Sequence, residues 1–326
     1  MRRIGKAAIS MVILVAAMLQ ACIHEYPHGT GTNPSKVDVN LHITFSLHWE
    51  TMLHTTPFAT RGRLEKPHRF VIEARKDGEP VYRGEQWLSP EEFLLGTLDY
   101  PFPVLMGPYE YEVAVWYEEC DDSAESVFDA TELTDIRVLD SALAASAPRN
   151  CGYASELLDL TPYYSSVNTG VEIDLTLQHA GARFQIVATD VQEFIALQKE
   201  ALLQGDTFSL QMRVASNSPL SFNAYNGIAG RTAGSLQHED AMFFPFAEYD
   251  ELKIGEGFLF SGAGDDVAMT LTVYNSARQI VSQTEEFHIP LRRGYITIVR
   301  GDFLTFPING NLSINHIWDG EIEMEI

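Results

Sequence analysis

Basic charge is what this 326-residue chain has least of: 22 Lys and Arg stand against 45 Asp and Glu, a formal net charge of −23. Nucleic-acid affinity rests on Lys and Arg neutralising phosphates, so nucleic acid is excluded as a partner. Adsorption to anionic lipid headgroups needs basic clusters and is argued against on the same ground. Cysteine is almost as scarce. Cys22, Cys120 and Cys151 are the only three, with no Cys-x-x-Cys pair and no Cys/His spacing suited to a metal. His-Glu-x-x-His, Gly-x-Ser-x-Gly and phosphate-cradling glycine loops are all missing, so the residues nominate neither a catalytic centre nor a cofactor. Ten histidines do not change this. His42, His48 and His54 lie in or near one stretch, but His42 and His48 share its polar face with Asn40 and Ser46, without a Glu or Cys at ligand spacing. Asp121-Asp122 and Asp265-Asp266 read as solvated turns, since neither reproduces a ligand-rich calcium loop.

What is present begins at the N-terminus. Arg2, Arg3 and Lys6 precede an almost wholly apolar run, Ala7 to Met18, and Leu19-Gln20-Ala21-Cys22 comes next as the cleavage pattern of a bacterial lipoprotein. The apolar run is shorter than the ~20 residues that cross a bilayer. Residues 1–21 are therefore expected to be a signal peptide, with lipid attached to Cys22, and removal of its three basic residues takes the net charge from −23 to −26. Several acyl chains on one cysteine, at about 0.8 kcal/mol per buried methylene, hold a protein on a membrane essentially permanently. Residues 22–36, with Pro, Gly, Thr and Asn and no apolar periodicity, read as a flexible tether.

Beyond the tether, period-two alternation dominates and predicts a mainly β chain. Val39, Leu41, Ile43, Phe45 and Leu47 alternate with polar residues; Tyr109 to Val115 and Val171 to Leu177 do the same, and similar runs recur at 184–188, 208–214, 267–274, 287–291, 295–300 and 322–326. Asp77-Gly78 between two such runs is a hairpin signal. Two capping boxes predict helices: Ser89-Pro90-Glu91-Glu92, ended by Gly96, and Asp190-Val191-Gln192-Glu193, ended by Gly205. About 290 residues lie beyond the tether, close to the limit for one core, so two domains are expected. The spans are 37–170 and 171–326, with turn chemistry at His179-Ala180-Gly181. Cys120 and Cys151 are either a disulfide, as export permits, or two buried thiols.

Three segments carry a resemblance: Ala182-Arg183-Phe184-Gln185-Ile186-Val187-Ala188-Thr189-Asp190 with Glu193-Phe194; Ile289-Pro290-Leu291-Arg292-Arg293-Gly294-Tyr295 running on to Thr305; and Trp318-Asp319-Gly320-Glu321. Together with the Cys22 box they resemble the fimbrillin-like lipoproteins of Bacteroidales, best the minor-subunit (FimB/Mfa-type) anchor family. That resemblance implies two tandem transthyretin-like β-sandwich domains, attachment to the cell outer membrane through the lipid, exposure at the surface, and other fimbrial subunits as partners in a pilus built by strand exchange. Stalk subunits of the family are cut after an arginine in an N-terminal loop; Arg61-Gly62 is the one candidate here, and an anchor that keeps its lipid is not expected to use it.

Strand exchange has a physical basis. An added strand satisfies the unpaired N–H and C=O groups of a sheet edge while its alternate side chains fill a core. Ile322, Met324 and Ile326 alternate with Glu321, Glu323 and Glu325 and can serve as a donor or edge strand, or as a strand internal to their own domain. The competing reading is a surface glycan-binding lipoprotein that presents Trp49, Trp87, Trp116 or Trp318 as stacking platforms.

Overall fold

The computed structural model describes residues 37–45, 66–120, 126–139, 150–164, 170–242, 244, 250–306, 315–318 and 322–325. Cys22, the 22–36 tether, His48, Trp49, His54, Arg61-Gly62, Asp121-Asp122 and Ile326 lie outside these residues, as do the side chains of Trp318, Ile322 and Met324.

The first alternating run forms strand β1 (Asp38–Thr44). Val39, Leu41 and Ile43 are buried, while Asn40, His42 and Thr44 are half-buried on the other face. It pairs antiparallel with β4 (Thr97–Pro101) and parallel with β9 (Gly170–Thr176), so β1 is the middle strand of three. Opposite this sheet stand β2 (His68–Lys76), β3 (Glu79–Leu88), β5 (Glu110–Glu119), β8 (Cys151–Asp159) and β10 (Gln178–His179), in the order β10-β8-β5-β2-β3. The β2–β3 hairpin turns at Asp77 (φ 54°) and Gly78 (φ 82°), the positive angles that the Asp-Gly signal predicts.

The second half builds two more sheets. One runs β16 (Leu252–Phe260), β11 (Gly181–Ala188), β20 (Ile296–Gly301), β22 (Ile322–Glu325), β21 (Asn315–Trp318). The other runs β15 (Leu236–Met242), β12 (Phe208–Val214), β17 (Ala263–Asn275), β18 (Ile280–Gln283), with β19 (Phe287–Arg292) also paired to β17. A fifth sheet, β14 (Ile228–Thr232), β13 (Ser218–Asn223), β7 (Ile136–Val138), β6 (Phe128–Asp129), draws its strands from both halves of the chain.

Strand pairing crosses the expected division between 37–170 and 171–326. Residues 171–179 belong with the first half, because β9 pairs with β1 and β10 with β8. The chain leaves for the second half at Ala180, the turn between β10 and β11, rather than at 170/171. The two halves also share a core. The five-stranded sheet is buried on both faces: Phe70, Ile72, Val113, Val115 and Tyr117 pack toward β1, while Val71, Ala114 and Trp116 join a core with Phe222, Phe258 and Phe260 of the second half. Each face removes apolar area from water at about 25 cal/mol per Å², so one sheet serves two cores.

Helix α1 (Pro90–Phe93) has the predicted capping box, with Ser89 Oγ accepting from Glu92 N–H and Glu92 accepting from Ser89 N–H. Phe93 anchors it in a ring stack with Phe45 (4.6 Å between centroids), His68 (3.7 Å) and Tyr117 (5.1 Å). The second predicted helix divides at Gln198 into α2 (Val191–Leu197) and α3 (Lys199–Leu203), and Gly205 ends it at φ 84°. Asp190 occupies the N-cap position but makes no capping bond. Asp265 and Asp266, expected in a turn, lie within β17 and pair with Arg231 (3.2 Å) and His288 (2.5 Å).

Candidate assembly interface

The region around the end of β20 decides how the last strands are held. β20 leads into Phe303 and Leu304, both buried. Ser282 Oγ donates to the carbonyls of Phe303 (2.7 Å) and Phe306 (3.1 Å). Asp190 Oδ2 accepts from Leu304 N–H (2.9 Å), Thr305 N–H (2.7 Å) and Thr305 Oγ1 (2.8 Å). Satisfying two backbone donors 114 and 115 residues away has diverted Asp190 from capping α2. Burial raises its pKa against the lowering by those bonds. The body of the fold is therefore fixed through Phe306.

The last two strands are attached differently. β22 pairs parallel with β20 over only three positions, Ile298↔Glu323, Val299↔Met324 and Arg300↔Glu325, and β21 closes antiparallel on β22 from Asn315↔Glu325 to Trp318↔Ile322. β22 thus lies inside its sheet and β21 is the edge. The segment with Ile322 and Met324 is placed as a strand of its own chain, held next to β20 by a short ladder beyond the clamp.

The remaining candidates are scattered through the fold. Cys120 and Cys151 are buried as thiols, the second of the two alternatives, and burial pushes the Cys151 thiol well up. Trp116 is fully buried, in contact with Phe128, Phe222 and Phe260; Trp87 is half-buried beside Arg69. Trp116 is therefore not an open stacking platform. His42 Nδ1 is 2.6 Å from Asp99 Oδ1, and that bond raises its pKa. His68 goes the other way: buried beside Phe93 and Tyr117, with Nδ1 2.8 Å from the Tyr117 hydroxyl, its pKa falls to about 4 by desolvation. Among the described residues no group of three or more His, Cys, Asp or Glu is placed to hold a metal ion, and no helix is long and apolar enough to cross a membrane.

Polar groups also join the two halves. Arg293 donates to Ser261 O (2.8 Å), the Tyr153 hydroxyl (2.8 Å) and Gly227 O (2.6 Å). Glu73, nearly inaccessible, accepts from Arg75 (2.8 Å), Arg83 (2.6 Å) and the Tyr225 hydroxyl (2.9 Å). Buried charge paired on every side in this way fixes geometry more than it adds stability, and here it sets one half against the other.

A family of unknown function (DUF6562) matches residues 33–326. The chain belongs to that family. No curated protein matches the sequence. Solved structures that superpose on it include a candidate adhesin from Bacteroides ovatus (TM-score 0.43, 10% identity, 76% of each chain covered). A candidate polysaccharide-binding protein from Bacteroides thetaiotaomicron gives 0.43 at 9% identity over 76% of this chain and 80% of that one. The fimbrial anchor protein Mfa2 from Porphyromonas gingivalis gives 0.41 at 12% identity over 76% and 82%. At TM-scores below 0.5 these likenesses carry no role over to this member of the family.

Proposed function

We propose that this protein is a non-catalytic minor pilus subunit, anchored to the outer membrane by lipid on Cys22, with two transthyretin-like sandwiches presenting a sheet edge to other fimbrial subunits. The observation that carries the reading is the contrast at Phe306. Up to that residue the chain is clamped by Asp190 and Ser282, and beyond it β22 is held by a three-residue parallel ladder at β20. A strand added late to a finished sheet can be exchanged for another with little cost to the body. The lipoprotein box at Cys22 supplies the membrane end of the same reading. Glycan binding through stacked tryptophans gains no support from Trp116, whose ring is committed to the core.

Affinity capture of the tagged protein from native outer membranes tests the function. Pilus subunits should co-purify, and Cys22→Ala should move the protein out of the membrane fraction. Replacing Ile322, Met324 and Ile326 together by Asp should abolish capture while the membrane association persists. Wild-type protein that captures no pilus subunit, or a Cys22→Ala variant that still sediments with outer membranes after a high-salt wash, contradicts the reading.

A further inference from the structure

Several segments converge at the end of the first sandwich where β1 begins. Val37 and Met106 exchange two backbone hydrogen bonds, 2.8 and 3.0 Å. Asp38 lies opposite Gly170, Asn40 opposite Pro101, and Glu110 opposite Asp159. Leu160 N–H donates to Tyr109 O at 3.0 Å, and the Lys76↔Glu79 end of the β2–β3 hairpin is at the same end, since Arg75 pairs with Glu112. This end displays apolar side chains outside either core: Val104 is 47% exposed, Leu105 49%, Tyr109 49% and Tyr164 63%.

The display is built into the loop Phe102-Pro103-Val104-Leu105-Met106-Gly107-Pro108-Tyr109. Phe102 and Met106 turn inward and are 7% and 4% exposed. Those two inward anchors leave Val104 and Leu105 outward. Pro103, Pro108 and the Val37–Met106 bridge stiffen the loop, so presenting the pair to a partner costs little conformational entropy. Scattered exposed apolar residues need no explanation; the position of these does. The chain enters β1 at Val37, fifteen residues after Cys22, and fifteen residues reach at most about 50 Å when extended or about 20 Å as a coil.

We propose that this end of the first sandwich is a membrane-contacting surface, with Val104 and Leu105 entering the lipid and Tyr109 and Tyr164 at headgroup level. The proposal rests on the lipid-anchor reading of Cys22, which keeps this end within about 50 Å of the bilayer. Tyr suits that depth because its ring is apolar and its hydroxyl wet. Around the patch Asp38, Asp77, Glu79, Glu110, Asp159 and Glu172 outnumber Lys76, whose Nζ sits 3.6 Å from the Tyr109 ring centroid. The surface therefore fits a zwitterionic headgroup layer, with the lipid on Cys22 providing attachment and the apolar pair providing orientation.

The test supplies its own tether. Full mature chain made without acylation is coupled through the Cys22 thiol to a maleimide-headgroup lipid in phosphatidylcholine vesicles; Cys120 and Cys151 are buried and shielded from coupling. Hydrogen exchange should slow at least about threefold across 102–109 and 161–164 in the coupled chain relative to the free chain, with Leu252–Phe260 unchanged. A Val104→Asp, Leu105→Asp double variant, altered only at exposed positions, should couple and fold normally yet lose that protection. Equal exchange of 102–109 in coupled and free chain would overturn the proposal. So would a dimer of the free chain that Leu105→Asp dissolves, which would assign the patch to a second copy. Mass spectrometry of Cys22 in protein from cells tests the native tether separately: a missing acyl group defeats the anchor reading, whatever the exchange result.

Discussion

The first and last described strands of the chain are both paired in parallel on one side, and they are held in opposite ways. β1 has seven register partners on β9 and five on β4, and Val39, Leu41 and Ile43 are at most 2% exposed. Burying three such side chains stabilises by about 1.5–3 kcal/mol each. β22 has three partners on β20 and four on the strand outside it, and it comes after a chain already fixed by Asp190 and Ser282. A terminal strand is part of the fold when the core closes around it, and an accessory when the core closes before it. β1 is of the first kind, and the proposed role makes β22 of the second.

The largest effect that would sharpen this contrast is expected inside β1. Leu41→Ala should lower unfolding free energy by about 3–5 kcal/mol, the range for a large-to-small change in a closed core, measured by urea titration; a loss below about 1 kcal/mol would make β1 an accessory too. Next comes the junction of the halves. Arg293→Met leaves Ser261 O, Gly227 O and the Tyr153 hydroxyl without their donor and should cost about 3 kcal/mol. If it instead splits one unfolding transition into two, the halves are coupled chiefly through this arginine.

Acid probes the body in another way. His68 is neutral in the fold with a pKa of about 4, against 6.5 in the open chain. The unfolded state therefore takes up a proton first as pH falls, and stability should drop between about pH 6.5 and 4 by up to about 3 kcal/mol; His68→Phe, which keeps the ring stack, should flatten that slope. His42 has the opposite sign, its raised pKa giving stability that is present below pH 6.5 and lost as pH rises through the folded value. A smaller effect is expected at the clamp. Asp190→Ala orphans the amides of Leu304 and Thr305 and should cost about 2 kcal/mol, with faster hydrogen exchange confined to 302–306 and the last strands.

Much of the body was legible in the sequence wherever one face of a strand is wet. β1, β9, β12 and β22 fall on alternating runs, and the β2–β3 turn and the α1 cap are where Asp77-Gly78 and Ser89 place them. β13 (Ser218–Asn223), buried at five of its six positions, and β8, buried through its first four residues, carry no alternation to read. For the same reason the shared core was invisible: Phe70 and Val71 look alike in sequence yet face different cores. At the candidate interface the alternating Ile322 and Met324 coincide with β22. Nothing local marked Asp190 as a clamp, because its partners Leu304 and Thr305 are brought to it only by the β11–β20 pairing. The capping-box pattern around it pointed to another use.

If the fold is complete at Phe306 and the chain beyond it serves a partner, a protein ending at Phe306 should fold and fail to assemble. Thermal unfolding of that truncated protein, set beside subunit capture from outer membranes, measures both. The expected result is an unfolding free energy within about 1 kcal/mol of the full chain, as for a surface change that leaves the core intact, together with loss of pilus-subunit capture. A truncated protein that unfolds at much lower temperature, or that captures subunits as well as the full chain does, would contradict it.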